Sequence, residues 1–257
     1  MTGALVIGGT KKDWEAMAVF LLNFKMVMPN TVEDIIVFHD GITKKQQKLM
    51  NNVSKIKFVR YICPISKLKC LKNKSVRYFS RMVFCKYECF RLLKEYDFVV
   101  WSDYDVVLKE SIAEIIDTQC GFKTVCNEEI PLRENLLKKI TNRDILKYDL
   151  LAESICTPLF VLHRNIGDYT NYYSWCYKQT KKYINDLYLP EQAIISMLVQ
   201  KYNIDYEKID RRVYCSHPSN DKQDIKVLHA YGQPKFWNGL DNKIWNNYYQ
   251  KWQEMKE

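Results

Sequence analysis

The 257-residue chain is 47% hydrophobic and 27% charged, enough for one large domain with a sizeable core, and its 8 Gly and 7 Pro exclude collagen-like and low-complexity architectures. No apolar run approaches the roughly 18 to 20 residues of a membrane-spanning helix. The net charge of +9 is one region's property: residues 57–94 carry eleven Lys or Arg against one acid, Glu88, so the other 219 residues sum to −1.

That basic segment suits a nucleic acid, an anionic membrane surface or a phosphate-bearing ligand, and equally a solvated basic face. The longest apolar run, Ala16 to Leu22, stops at Asn23 and Lys25, and no positive segment precedes it as a secretory leader requires. The 9 cysteines are odd in number and form neither a CxxC pair nor a zinc-finger grouping with histidine, so reduced thiols in a cytosol are expected. Two sequons, at Asn52 and Asn73, matter only in a secreted chain.

With no internal repeat and no Pro/Gly/Ser linker, a single domain is expected over residues 1–240, followed by a helical tail, 241–257. Ala4 to Ile7 reads as a buried strand ending in Gly8-Gly9-Thr10, then a helix from Asp13 to Met28 stops before Pro29. Ile35 to Phe38 and Ile56 to Ile62 are further strands, with a polar helix from Thr43 between them. Strands alternating with helices predict an α/β fold with a largely parallel sheet.

From Arg81 to Tyr96 the pattern is helical, with Met82, Cys85, Lys86, Cys89, Phe90 and Leu93 on one face. Lys86 thus sits in an apolar stripe, where a cation either meets a carboxylate or a ligand phosphate, or snorkels to water. Phe98 to Trp101 lacks polar alternation, as a central strand covered on both faces does. Residues 127–149 are charge-rich and read as a helical or loop insertion. Phe160 to Leu162 is another strand, Leu189 to Gln200 a helix, and Val227 to His229 a short terminal strand. In the tail, Trp245, Tyr248, Tyr249 and Trp252 recur at helical spacing and are expected to pack on the domain. The tail lacks the basic excess an anionic membrane favours, so peripheral contact with the inner face of a membrane stands as the alternative.

Asp103 and Asp105, one residue apart, direct both carboxylates the same way in an extended segment. Two hard oxygen ligands suit Mg²⁺ or Mn²⁺, which neutralises a diphosphate, and their place after a buried strand is where open α/β sheets bind ligands. His229 offers a third ligand, Gly232 a close backbone approach and Lys235 a cation for phosphate. An imidazole among carboxylates points toward Mn²⁺.

The run Phe84-Cys85-Lys86 through Leu93, followed by Tyr96 to Asp105, resembles the helix, strand and Asp-x-Asp of glycosyltransferase family 8. His229-x-x-Gly232-x-x-Lys235-x-Trp237 is similar to that family's C-terminal signature with Phe236 in place of Pro, and Leu189-Pro190-Glu191-Gln192 to its Leu-Pro-Asp-Gln segment. The resemblance implies a single GT-A, Rossmann-like domain, a UDP-hexose donor, Mn²⁺ with Mg²⁺ as the alternative, and transfer with retention to a saccharide or glycolipid acceptor. It implies that Asp103, Asp105 and His229 hold the metal and that Gly232, Lys235 and Lys86 contact the donor. Ser102 and Tyr104 flank the first metal ligand on the donor side, and Thr10 and Trp14 fall near the nucleotide-binding turn, where an aromatic stacks on uracil. Gln192 aligns with the polar residue near the anomeric carbon and Glu191 with an acid holding sugar hydroxyls; a covalent intermediate on Glu191 is the alternative mechanism. The basic stretch Lys67 to Arg81 is expected to be a mobile loop beside the donor. Cys156-Thr157-Pro158 departs from the family's usual Asn-Ala/Ser-Gly. Two other functions fit the residues less closely: a nucleotidyltransferase making nucleotide sugars, and a non-catalytic nucleic-acid-binding protein using residues 57–94. On the leading reading no nucleic-acid partner is expected.

Overall fold

The computed structural model describes residues 1–117 and 120–256. Strand and helix alternate at first as the periodicity predicts: β1 (Gly3–Gly9), α1 (Trp14–Val27), β2 (Asp34–His39), α2 (Lys44–Met50) and β3 (Ile56–Arg60). Helix α2 starts where Thr43 and Gln46 cap each other reciprocally. The basic stretch is not the loop expected. It forms α3 (Lys67–Lys72) and α4 (Lys74–Phe79), because Cys70 and Val76 find buried places and Asn73 caps the second helix. Residues Arg81–Tyr87 then wind as a 3₁₀ helix, with only Glu88–Leu92 forming true α-helix, α5. The expected stripe is nonetheless buried throughout.

Next come β4 (Phe98–Ser102), β5 (Val106–Leu108), α6 (Ala113–Ile116), β6 (Phe122–Pro131) and β7 (Glu153–His163). The insertion expected from residue 127 is in part the end of β6, paired to β7 through a register shift, with 3₁₀ turns at Leu132–Asn135 and Arg143–Lys147. Only the neighbouring strand stabilises that extension, so no local pattern announces it. The chain closes with α7 (Tyr169–Tyr183), α8 (Pro190–Tyr202), β8 (Glu207–Ile209), α9 (Arg211–Tyr214), β9 (Val227–His229) and α10 (Lys243–Lys256).

Seven strands order as β3-β2-β1-β4-β7-β6-β8. Pairing is parallel from β3 to β4, antiparallel on both sides of β7, and parallel again between β6 and β8. Alternate residues feed two core layers. Ala4, Val6, Val99 and Trp101 face the layer beneath α5, α7 and α8, whereas Leu5, Ile7, Phe98 and Val100 face α1 and α10. Burying each large side chain of β4 stabilises the centre by about 1.5–3 kcal/mol. Trp245 and Trp252 of α10 are buried in the α1 layer; Glu257, the last residue assigned to the tail, lies outside the described residues. Among the described residues no helix is long and apolar enough to cross a membrane.

The sheet order reverses between β1 and β4: the chain proceeds outward from β1 to β3, then returns to β4 on β1's other side. A crevice forms where the strand order switches, at the carboxyl ends of these strands. A second sheet, the two-stranded ribbon of β5 and β9, crosses this crevice, pairing Val106 with His229 and Leu108 with Val227.

Candidate active site

Two residues beyond β4, the chain bends to carry Asp103, Tyr104 and Asp105 across the crevice into β5. The Asp103 backbone N–H donates to the Pro158 carbonyl on β7 at 2.7 Å, and the Asp105 carbonyl accepts from Ala230 just beyond β9 at 2.9 Å. This bridging, not continuous strand, fixes the two carboxylates. Tyr104 turns the other way, stacks on Trp237 at 5.6 Å and lies against Gly9, where a Cβ would approach its ring to 2.9 Å. Gly9 is therefore required by close approach. Burial, then the charge of Asp13, pushes the Tyr104 hydroxyl far above its usual pKa, so it is a neutral group.

Lys86 is buried, and snorkelling is excluded. Its ammonium lies 3.0 Å from Asp103 Oδ1 and 3.1 Å from Glu191 Oε1, and donates to the Thr157 carbonyl at 3.0 Å and hydroxyl at 3.1 Å. It also sits 5.5 Å from the Trp101 ring centroid, whose indole N–H donates to Asp103 at 3.0 Å. Burial alone would lower the Lys86 pKa; Asp103 and Glu191 outweigh it and hold the ammonium well above its usual range. For Asp103 burial dominates and raises the carboxyl, opposed by Lys86. Glu191 stands in the first turn of α8, where a helix favours a carboxylate, and its Oε1 also accepts from the Thr157 hydroxyl at 2.9 Å.

On the ribbon side, Asp105 Oδ1 lies 3.3 Å from His229 Nε2, and Oδ2 accepts from the Lys235 ammonium. Lys235 also donates to the Ala230 carbonyl at 2.7 Å. Burial raises the Asp105 carboxyl, but His229 and Lys235 together hold it well below the usual carboxylate range. Burial likewise opposes charge on His229, yet Asp105 lifts its pKa to about 10. The other ring nitrogen, Nδ1, pairs with Cys215 Sγ at 3.3 Å, which turns Nε2 toward the carboxylates.

Ligand atoms of Asp103, Asp105 and His229 all lie within 4.8 Å of one another. Two hard oxygens and one imidazole nitrogen form a donor set suited to Mn²⁺ and less to Ca²⁺. The three residues thus fit a divalent metal. Gly232 has φ +77° with nothing within 4 Å of a would-be Cβ, so its glycine character answers to backbone conformation; the open space beside it faces no protein atom.

Other predicted residues scatter around this cluster. Ser102 is buried and donates to the Asp103 carbonyl at 2.9 Å. Thr10 caps the turn after β1 and donates to Asp13 at 2.6 Å. Gln192 is half-buried beside Glu191 in the first turn of α8. Trp14 stands edge-on to Trp252 at 5.9 Å with Lys256 over its ring, as part of the packing of α1 on α10. Sequence reasoning missed Cys215 and the Trp101 indole. Cys215 belongs to no motif, whereas Trp101 lies in the strand leading to Asp103, and a tryptophan two residues before a candidate ligand is a usable signal. A cleft of about 670 Å³ at the ends of β2 and β3 is lined by Lys11, His39, Asp40, Lys44 and Arg60 among others, and by none of the residues singled out in the sequence. The cluster of titratable groups at the strand switch, rather than that cleft, marks the chemistry.

The sequence model described as Glycosyl transferase family 8 matches residues 5–241. No curated protein matches the chain. Among solved structures, the galactosyltransferase LgtC in complex with donor and acceptor sugar analogues shares 14% identity at a TM-score of 0.69, with 98% of this chain and 95% of that one covered. The bifunctional glycosyltransferase WbbM shares 14% identity at a TM-score of 0.66, covering 99% of this chain and 49% of that one. GlyE of Streptococcus pneumoniae TIGR4 shares 11% identity at a TM-score of 0.65, covering 100% of this chain and 62% of that one. At these identities the structural likeness shows the fold.

Proposed function

The chain belongs to glycosyltransferase family 8, and on that premise we propose that it moves a hexose from a UDP-sugar to a glycan or lipid-linked saccharide with retention of anomeric configuration. The transferase unit is residues 1–240, and the tail, 241–257, braces it through α10. The observation that carries this reading is the convergence of Asp103, Asp105 and His229 at the strand switch, where nucleotide phosphates gather in open α/β sheets. The family match favours transfer over the nucleotidyltransferase and nucleic-acid readings.

A divalent cation held by Asp103, Asp105 and His229, Mn²⁺ or alternatively Mg²⁺, would neutralise charge developing on the leaving diphosphate. Lys235, on the same carboxylate, supplies a second positive charge, and the open side of Gly232 leaves room for a phosphate oxygen. Lys86 gives Asp103 and Glu191 a shared cation and holds Asp103 in position. Ser102, Tyr104 and Thr10 form the wall on the nucleotide side. Trp14, half-buried and edge-on to Trp252 of α10, is kept as the aromatic for the uracil.

Glu191 has one carboxylate oxygen committed to both Lys86 and Thr157, a poor state for a nucleophile. Front-face displacement fits better: the leaving diphosphate takes the acceptor's proton, and the Gln192 amide stabilises the oxocarbenium-like centre. Thr157, in the segment that departs from the family pattern, serves here to hold Lys86. The test is UDP release across a panel of UDP-sugars, with and without Mn²⁺, in wild type and Asp105→Ala. Release with one donor that requires Mn²⁺ and vanishes in the variant supports the proposal. Absence of any UDP binding in the presence of Mn²⁺ overturns it.

A further inference from the structure

Residues 61–80 contain no acid and carry Lys67, Lys69, Lys72, Lys74 and Arg77. The segment is clamped to the body from beneath. The Asn73 amide donates to the Ile184 and Leu187 carbonyls at 2.6 and 2.8 Å, the Arg81 guanidinium donates to the Cys63 and Ile65 carbonyls, both at 2.8 Å, and Cys70 and Val76 are buried. What remains outward is apolar as well as basic. Ile62 is 81% exposed, Leu68 74%, Leu71 49%, Tyr78 62% and Phe79 40%. Leu68 and Leu71 lie three apart on α3 and share a face, and Tyr78 and Phe79 meet edge-to-face at 4.9 Å. Tyr188, next to the Leu187 carbonyl that Asn73 holds, is exposed as well.

A merely solvated basic face gives no reason for these side chains to stand in water, since a contiguous apolar patch on a soluble surface marks an interaction site. Tyr78 and Phe79 could stack on a base, but the most exposed apolar side chains, Ile62 and Leu68, offer a base nothing to stack on. Apolar side chains interleaved with lysines match the layered chemistry of an anionic bilayer, acyl chains below and negative headgroups above. The C-terminal aromatics, the other candidate, have both tryptophans buried in the core. We propose that α3 and α4 form a membrane-docking surface whose partner is an anionic lipid bilayer. The proposal does not depend on the sugar-transfer reading.

Co-sedimentation with vesicles of phosphatidylcholine alone and of an equimolar mixture with phosphatidylglycerol tests it directly. Wild type should bind the anionic vesicles in a salt-sensitive manner and the neutral ones weakly. Lys67→Ala/Lys69→Ala should lower partitioning by about fivefold per lysine, and Leu68→Ser/Leu71→Ser by about tenfold. All four positions are exposed, so the variants should keep the wild-type melting temperature. Lys243→Ala/Lys251→Ala on α10 should bind as wild type does. Absence of vesicle binding by wild type, equal loss in the α10 variant, undiminished binding in both α3 variants, or binding to single-stranded RNA in place of vesicles would each overturn the proposal.

Discussion

The two halves of the ion cluster are built on opposite plans. In the inner half, the Lys86 ammonium sits between Asp103 and Glu191 on a side chain only 6% exposed, and donates to both oxygens of Thr157. In the outer half, Asp105, His229 and Lys235 hang on a two-stranded ribbon, with side chains 13%, 11% and 19% exposed. The inner half therefore fixes geometry, because a buried ion network tolerates loss of a partner poorly. Asp103, with 26% of its side chain exposed, is the open member of the inner half, and the two halves meet where it converges with Asp105 and His229.

The largest effect that would break this contrast is on stability. Lys86→Met leaves two carboxylates without their cation, and should lower unfolding free energy by about 3–5 kcal/mol in urea titration. An unchanged midpoint would mean that the inner half is not a structural clamp. Asp105→Ala leaves Lys235 and His229 without their carboxylate, so it should also cost up to about 3 kcal/mol of stability, and in addition it should lower Mn²⁺-dependent turnover by about a hundredfold or more. Calorimetry beside a UDP-release assay separates the two. Cys215→Ala removes the partner that orients His229, and should weaken Mn²⁺ binding by about tenfold with the melting temperature nearly unchanged.

The smallest effect serves as a control remote from both halves. His163, paired opposite Phe98 at the far end of the β4–β7 ladder, stacks on that ring at 5.7 Å, and its Nε2 finds no hydrogen-bond partner among the described residues. Burial pushes its pKa below the usual value. The unfolded chain thus takes up the proton first, so this contribution to stability is full above about pH 6.5 and declines as pH falls below it. The melting temperature should drop between about pH 7 and about pH 5, and drop less in His163→Gln.

The sequence made the site more legible than the path of chain around it. Asp103, Asp105, His229 and Lys235 were readable because their residue types and their place after an unbroken apolar strand are both unusual. Lys86 was readable because a cation in an apolar stripe demands a partner, although only the fold identifies that partner as Asp103 with Glu191. The direction of β7 was not legible, since an apolar run has the same pattern whether its neighbour is parallel or antiparallel. The two helices at 67–79 were hidden because only Cys70 and Val76 anchor them amid basic residues. Trp14 follows the expected nucleotide turn in sequence, and its edge contact with Trp252, 238 positions away, is encoded by no local pattern.

The ribbon of β5 and β9 also sets an order of events. Its first strand carries Asp105 from the middle of the chain, and its second delivers His229 more than a hundred residues later. A chain growing from the ribosome can pair β1 through β4 and bury much of its core while Asp105 still lacks both of its cations. The outer half of the site is assembled only when the last part of the chain emerges and docks. The ion cluster is thus completed late, by an otherwise nearly folded protein, and translation that stops short of His229 yields a body whose Asp105 lacks its partners.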